Sequence, residues 1–308
     1  MRRAFVDTLV QLAELDDRIV LLTGDLGFAA LEPFAERFPD RFINAGVAEQ
    51  NMVGLATGLA EAGFTPYVYS ISTFASMRPY EFIRNGPVLH DLPVRVVGIG
   101  EGVEYGHNGM THYALEDVAL MRAQPGLTLV TPAAAEQVGA ILRAVQPLPG
   151  PVYLRLSKQT ISVPALADRF ELGEVQELSE GEDVAIVVMG AMSETALEAA
   201  GLLAERGVAA GVTVVSCLNP QPLAALSEVL AGVPVALAVE AHYVNGGLGS
   251  MLAELIAEQG LGCRLVRAGV EAAPVGVSGT HDYMLQELGL SPEALTERAV
   301  KALGVRQA

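Results

Sequence analysis

The chain has 308 residues, of which 51% are hydrophobic and 18% charged, and its formal net charge at neutral pH is −17. This composition is that of a globular protein and excludes a disordered chain, while the length predicts two domains of about 150 residues each. Because a strongly acidic surface repels phosphate backbones, the charge argues against nucleic-acid binding.

Features of secretion, membrane insertion and metal binding are absent from the sequence. An acidic amphipathic segment follows the N-terminal arginines, which does not fit a signal peptide. The apolar runs are short and broken by Gly and Pro, so no membrane span is expected. Cys217 and Cys263 lack a CxxC motif or the spacing of a metal site. We therefore expect a soluble, cytoplasmic protein with buried cysteines and no metal ligands of its own.

Helical and strand patterns alternate through the first half of the chain. Periodic apolar residues predict a helix over 3–14, and a continuous apolar run predicts a strand over 19–23 that is buried on both faces. Further helices are predicted over 49–62, 74–85 and 134–145, with strands over 66–70, 94–99, 127–131 and 152–156. This alternation predicts an α/β domain with a mainly parallel sheet.

The regular pattern lapses between residues 160 and 182, where the sequence is polar and acidic, as in a domain connection. A second α/β unit follows. Its strands are predicted over 184–188, 211–216, 234–239 and 264–268, its helices over 193–206, with Ser193 as the cap, and near 291–304. We predict two doubly wound α/β domains, 1–168 and 182–308, of which the second is smaller.

Glu49 is the first candidate functional residue. It stands where the loop that begins at Asn44 enters an apolar helix containing Met52 and Leu55. The helix N-terminus stabilises the carboxylate anion while burial opposes it, and a carboxylate so balanced is able to share a proton with a heterocyclic nitrogen. A first-turn glutamate that only complements the helix dipole explains the same spacing.

Two further segments carry polar or aromatic groups after predicted strands, where α/β folds place ligand loops. Phe74 is suited to stacking on a flat ring, although ordinary core packing explains it too. The loop over 106–113 contains His112, which is able to donate a hydrogen bond to a phosphate or sugar oxygen, and Asn108. A structural hairpin is the alternative for this loop.

The glycine-rich segment 240–250 lies between a predicted strand and a helix. This position suits an anion-binding loop, but the spacing is not G-x-G-x-x-G and no P-loop lysine follows. Tight packing of the strand against the helix explains the glycines equally well.

The order of these segments resembles the pyrimidine-binding domain of transketolase and of 1-deoxyxylulose-5-phosphate synthase. The resemblance rests on residues 47–52, 69–74, 109–112 and 121–126. Residues 240–250 and 277–280 are similar to the C-terminal domain of the same family, so the resemblance covers essentially the whole chain. It implies a thiamine-diphosphate enzyme that transfers a two-carbon ketol unit from a ketose to an aldose.

The resemblance assigns roles to four residues. Glu49 matches the glutamate that hydrogen-bonds the aminopyrimidine ring of thiamine diphosphate and favours its imino tautomer. Phe74 matches the aromatic residue that stacks on this ring, and Asp25 matches an acidic residue near the thiazolium ring. His112 matches the histidine that faces the substrate. Glu49 and His112 are thus the predicted catalytic residues.

The substrate contacts are less closely matched. Arg2, Arg155 and Lys158 stand near positions where the family places cations for a sugar phosphate, and surface charge is the alternative for each. Asn108, a predicted cofactor contact, replaces the aspartate usual in the family loop, and Met110 replaces a proline. These departures leave the donor sugar and the need for phosphate open.

One family element is missing. A Gly-Asp-Gly sequence followed by Asn normally anchors Mg²⁺ and the diphosphate, whereas Gly24-Asp25-Leu26 lacks the second glycine. The resemblance therefore implies the C-terminal section, or beta subunit, of a two-chain transketolase. A separate N-terminal-section subunit would hold most of the diphosphate and Mg²⁺, in an α2β2 heterotetramer. The alternatives are the beta subunit of a 2-oxoacid dehydrogenase, a split 1-deoxyxylulose-5-phosphate synthase and a regulatory half without activity.

Overall fold

A computed structural model describes residues 1–304 as two α/β units, each built on its own sheet. The elements of the first unit, in chain order, are α1 (Arg2–Leu15), β1 (Ile19–Thr23), α2 (Glu32–Arg37), β2 (Phe42–Asn44), α3 (Glu49–Glu61), β3 (Thr65–Ile71), α4 (Ser72–Ser76), α5 (Tyr80–Ile83), β4 (Arg95–Ile99), α6 (Asp117–Arg122), β5 (Thr128–Val130), α7 (Ala135–Val145) and β6 (Val152–Leu156). The predicted alternation of helices and strands is confirmed.

The second unit begins with a strand that the sequence pattern did not indicate. Its elements are β7 (Gln176–Ser179), β8 (Val184–Met189), α8 (Ser193–Glu205), β9 (Ala210–Val215), β10 (Cys217–Asn219), α9 (Leu223–Ala231), β11 (Val235–Tyr243), α10 (Leu248–Gln259), β12 (Arg264–Val270), α11 (His281–Glu287) and α12 (Pro292–Leu303). The domain boundaries remain a prediction, although β7 joins the second sheet ahead of the predicted start at residue 182.

The two sheets are mostly parallel. The seven-stranded sheet has the order β10-β5-β6-β4-β3-β1-β2, and the five-stranded sheet has the order β12-β11-β8-β9-β7. Among the strands of residues 1–304, only the edge strands β10 and β7 pair antiparallel with their neighbours. The central strands β1, β4 and β6 are buried along their whole length, as expected for parallel strands covered by helices on both faces. The predicted α/β fold class is confirmed.

Strand β10 connects the two units. It follows β9 of the second sheet but pairs with β5 at the edge of the first sheet, with Cys217 opposite Val130. Ser193, predicted to cap α8, instead donates its hydroxyl proton to the carbonyl oxygen of Ala133 in the first unit. The capping position is Met192, so this prediction is wrong. Both observations show that the units share a packed interface.

The helix predicted over 74–85 is only partly correct. Helix α4 begins at Ser72 and ends at Ser76, α5 begins at Tyr80, and a π-helical turn over Arg84–Val88 follows. Pro79 lies in the break. Proline lacks an N–H donor and disfavours helical geometry in the preceding residue, which explains why the helix is interrupted here. The break positions Arg78 between two short helices.

Within residues 1–304, no helix combines the length and the hydropathy that crossing a lipid bilayer requires.

Candidate active site

Glu49 is a buried carboxylate at the start of α3. Its side chain is only 4% exposed, and both of its oxygens accept hydrogen bonds from Nη1 of Arg78, at 2.9 and 3.0 Å. Ala48, at the N-cap, provides no side-chain hydrogen bond to the helix. Glu49 is the acidic residue of the first turn, where a negative charge interacts favourably with the helix dipole. A buried charge needs a partner, and Arg78 supplies it.

Arg78 connects Glu49 with Phe74, although no sequence motif indicated it. Its guanidinium carbon lies 3.8 Å from the centroid of the Phe74 ring, within the range of a cation–π contact. The imidazole of His112 meets the same ring edge-on, with centroids 5.1 Å apart and an interplanar angle of 63°. The structure thus brings together Glu49, Phe74 and His112, which the sequence places in three separate segments.

Tyr105 and Lys158 extend this group toward a cavity. The Tyr105 ring lies 6.1 Å from that of His112, and Nζ of Lys158 lies 4.5 Å from the Tyr105 centroid. Lys158 and Arg2 both line a cavity of about 590 Å³, and because Arg3 adds a third cation against the one carboxylate of Asp7, the lining is mainly cationic. Two of the three cations predicted for the substrate lie at this one cavity.

Asp25 is tied to the loop that leads into Glu49. It has a left-handed backbone, with φ 58°, and exchanges two hydrogen bonds with Asn44, each 3.0 Å long. Oδ1 of Asn44 also accepts the N–H of Gly46, which lies in that loop. Asn108 has an exposed side chain in the turn that precedes His112.

Arg155 is not a substrate cation, which corrects the prediction for this residue. Its side chain has no exposed surface and forms ion pairs with Asp117 at 2.8 Å and with Glu101 at 2.9 Å. Nη2 donates to the carbonyl oxygens of Ala114 and Ala241, each at 3.0 Å. Because Ala241 belongs to β11, Arg155 joins the first unit to the second.

The carboxylates around Arg155 are fully buried. Burial raises the pKa of the Glu101 carboxyl above its ordinary value, and the charge of Arg155 opposes that rise. Glu101 also accepts the N–H of Ala191 in the second unit. This cluster is therefore a structural junction between the two sheets.

The backbone N–H groups of the glycine-rich segment after β11 bind a carboxylate of the same chain. The Glu240 carboxylate accepts the N–H groups of Leu248 and Gly249, at 2.8 and 2.9 Å, at the start of α10. Burial raises the pKa of Glu240 to about 7, against these two hydrogen bonds. The structural explanation for the glycines is correct, since Glu240 fills the place of an external anion.

Gly247→Ala is expected to destabilise the protein by about 1–3 kcal/mol, the usual cost of overpacking a dense interior. A Cβ at this position would overlap Oε2 of Glu240 and approach His242 within 2.9 Å. Gly201→Ala is the matched control, because a Cβ there meets no atom within 4 Å and α8 should gain about 1 kcal/mol of helix propensity. Urea unfolding measures both changes, and equal effects would contradict the role of Glu240.

His112 is expected to remain a neutral imidazole at pH 7. Burial, and then the charge of Arg78, lower its pKa from 6.5, so protonation requires a pH below that value. Arg78→Met should raise the pKa of His112 and increase the protonated fraction at any given pH near it. NMR titration of the imidazole protons measures this, with Arg84→Met as the control. An unchanged or lower pKa in Arg78→Met would show that the two side chains do not interact.

No group of three or more His, Cys, Asp or Glu side chains suited to a metal ion occurs in the part of the chain that the structure describes. The functional features found are instead a buried carboxylate, an aromatic face and a cationic cavity. All three features lie in the first α/β unit. Sequence comparison gives the family.

The family model of the transketolase pyrimidine-binding domain matches residues 1–163, and that of the transketolase C-terminal domain matches residues 173–295. The chain belongs to the transketolase family and contains these two of its domains. The resemblance seen in the sequence is confirmed.

Relatives of similar length have the same two-domain extent. A putative transketolase C-terminal section of Methanocaldococcus jannaschii is 34% identical, over 98% of this chain and 96% of the relative. A 6-deoxy-6-sulfo-D-fructose transketolase subunit of a Clostridium species is 36% identical, over 97% of this chain and 93% of the relative. A solved structure described as a split gene transketolase, inactive beta4 tetramer, has a TM-score of 0.90 at 35% identity and covers 99% of each chain.

Proposed function

We propose that this chain is the beta subunit of a two-chain, thiamine-diphosphate-dependent transketolase. The enzyme transfers a two-carbon ketol unit from a ketose to an aldose. The observation that carries the proposal is the pair formed by Glu49 and Phe74, a buried carboxylate beside an aromatic face. The family of the chain agrees with this cofactor, and the proposal includes the predicted cytoplasmic location.

The aminopyrimidine ring of the cofactor fits the residues present. The guanidinium of Arg78 is planar, donates N–H hydrogen bonds to both oxygens of Glu49 and lies over the ring of Phe74. An aminopyrimidine is also planar, has N–H donors on its edge and has a face suited to stacking. The site therefore accepts the size, flatness and donor pattern of the ring.

The geometry of the site supports a role for each of three residues of this chain. Bound thiamine diphosphate supplies the nucleophilic carbon and the electron sink for breaking the carbon–carbon bond. Glu49 would hold the proton-sharing hydrogen bond at the pyrimidine nitrogen, and Phe74 would orient the ring. His112, neutral and beside Phe74, would donate a hydrogen bond to a substrate oxygen.

A second subunit would provide the binding site for the diphosphate and Mg²⁺, in an α2β2 assembly. An apolar surface flanks Glu49, with Val47 72%, Leu55 40% and Phe82 42% exposed. Exposed apolar patches of this kind mark interfaces. We propose that the partner subunit covers this surface and completes the cofactor site.

The substrate would be a sugar with an anionic end, because Lys158 and Arg2 line one cavity. Phosphate and sulfonate share this chemistry, and one relative is a sulfofructose transketolase subunit. Asp25 and Asn108 would contribute near the cofactor and the substrate hydroxyls.

Lys158→Met is expected to raise KM for a phosphorylated ketose about tenfold or more and to leave kcat nearly unchanged, since a charge-assisted hydrogen bond is worth about 1.5–3 kcal/mol. Lys301→Met is the matched control, because the sequence contains only these two lysines. Steady-state kinetics with a phosphorylated and an unphosphorylated ketose measures the effect. An equal rise in KM for both donors would refute the anion contact.

The proposed function is tested by mixing the purified chain with the candidate diphosphate-binding subunit, thiamine diphosphate and Mg²⁺. Ketose and aldose phosphates of different lengths serve as substrates. We expect ketol transfer only when both chains are present. Decarboxylation of a 2-oxoacid instead, or no binding between the chains, would overturn the proposal.

A further inference from the structure

Arg78 occupies the proposed pyrimidine position in the chain as it stands. It lies in the break between α4 and α5, and its Nη1 reaches both oxygens of Glu49. Its guanidinium also lies 3.8 Å from the centroid of the Phe74 ring. One side chain therefore makes both kinds of contact that the site offers to a flat ring.

The contacts of Arg78 are those that an aminopyrimidine at this site would make. Glu49 is 4% exposed and both of its oxygens accept hydrogen bonds from Nη1 of Arg78, so little of the carboxylate is open to a second donor while the guanidinium is in place. The Phe74 ring has the guanidinium carbon 3.8 Å from its centroid and the edge-on imidazole of His112 at 5.1 Å. A flat ring that takes up the contacts of the guanidinium with both Glu49 and Phe74 therefore competes with it.

Arg78 is the more exposed member of the pair. Its side chain is 46% exposed, extends on a flexible stem and leaves from a helix break. Glu49 is fixed in the first turn of α3 and would be a buried, unpaired charge without a partner. The pairing therefore keeps the charge of Glu49 compensated when no ligand is bound, and it yields by movement of the arginine.

We propose that Arg78 is an internal ligand that competes with the aminopyrimidine for Glu49 and Phe74. This inference rests on the proposed function. The apparent affinity of a site is proportional to the fraction of time for which the site is free. An internal ligand that occupies the site about nine-tenths of the time therefore weakens binding about tenfold. The site accordingly recognises planar cations with N–H donors as a class, including free guanidinium ion.

The test measures binding of 4-amino-5-hydroxymethyl-2-methylpyrimidine to the full chain by isothermal titration calorimetry. Arg78→Met removes the guanidinium and retains an aliphatic stem, while Arg78→Ala is the second variant. Arg84→Met is the matched control, since Arg84 is also exposed and, among residues 1–304, its guanidinium hydrogen-bonds only to the adjacent Asn85. Circular dichroism confirms that each variant is folded.

We expect Arg78→Met and Arg78→Ala to bind the pyrimidine about tenfold more tightly than the unmodified chain, with Arg84→Met unchanged. Millimolar guanidinium ion should compete with the pyrimidine in Arg78→Ala and have little effect on the unmodified chain. Equal or weaker binding by both Arg78 variants, or no binding by them at all, would overturn the inference.

The two proposals fail in different ways. Adding Glu49→Gln to Arg78→Met should abolish the gain in affinity. If binding of the pyrimidine depends on Glu49 but is unchanged in the Arg78 variants, the role of Arg78 as an internal ligand is refuted, whereas the proposed pyrimidine site is supported. If Glu49→Gln has no effect on binding in the Arg78→Met background, the pyrimidine site itself is refuted, and the internal ligand with it.

Discussion

Glu49→Gln is expected to reduce kcat for ketol transfer by about 10²- to 10⁴-fold in the complete two-chain enzyme, the range that a positioned acid–base group contributes. Glutamine retains the size and hydrogen-bonding capacity of glutamate but cannot share a proton with a ring nitrogen. Glu49→Ala should cause an equal or larger loss, because it removes the hydrogen bond as well. Coupled kinetic assays at saturating thiamine diphosphate separate loss of turnover from loss of cofactor.

The control for this loss is Glu81→Gln. Glu81 is an exposed glutamate in the first turn of α5, close to Arg78 in sequence but without a bond to it among the residues described. Its replacement should leave kcat within about twofold, as for an ordinary surface substitution. If Glu49→Gln retained most of its turnover, Glu49 would be a helix-dipole residue and the catalytic assignment would fail.

Arg155→Met is expected to lower the free energy of unfolding by about 3–5 kcal/mol, the usual effect of removing one member of a buried ion pair. The substitution leaves Glu101 and Asp117 without their cation and the carbonyl oxygens of Ala114 and Ala241 without a donor. Because these groups come from both units, the loss should also loosen the interface between them. Urea unfolding followed by circular dichroism measures the change.

Arg143→Met is the matched control for Arg155. Its ion pair with Asp168 is exposed on both sides, so the change should cost less than about 1 kcal/mol. The competing explanation for Arg155 is substrate binding. Unchanged stability together with a raised KM for phosphorylated sugars in Arg155→Met would restore that explanation and refute the structural one.

Most of the first sheet could be predicted from the sequence, because its strands are buried on both faces and form uninterrupted apolar runs, as at Ile19–Thr23. Strand β10 could not. It has three residues, and it is defined by pairing with β5 of the other unit, so its partner lies far away in the sequence. Strand β7 was missed because its four residues are mostly polar and form no apolar run, and because it pairs only along the antiparallel edge of the second sheet.

For the candidate site, the backbone positions of two residues could be predicted from local sequence, whereas their proposed roles rested on the resemblance to transketolase. Glu49 begins a helix and His112 ends a short loop, and both positions follow from local sequence. Arg78 was missed because its contacts depend on the break at Pro79 and on the reach of a long side chain. Arg155 was misread because neither Glu101 nor Asp117, its partners, is adjacent to it in the sequence.

The central claim is that this chain supplies the pyrimidine half of a cofactor site completed by a second chain. Isothermal titration of thiamine diphosphate with Mg²⁺ into this chain, into the candidate partner and into their equimolar mixture tests it directly. We expect tight binding only by the mixture, and a marked loss of that affinity when the mixture contains Glu49→Ala. Equally tight binding by this chain alone, or binding by the mixture that is indifferent to Glu49→Ala, would contradict the claim.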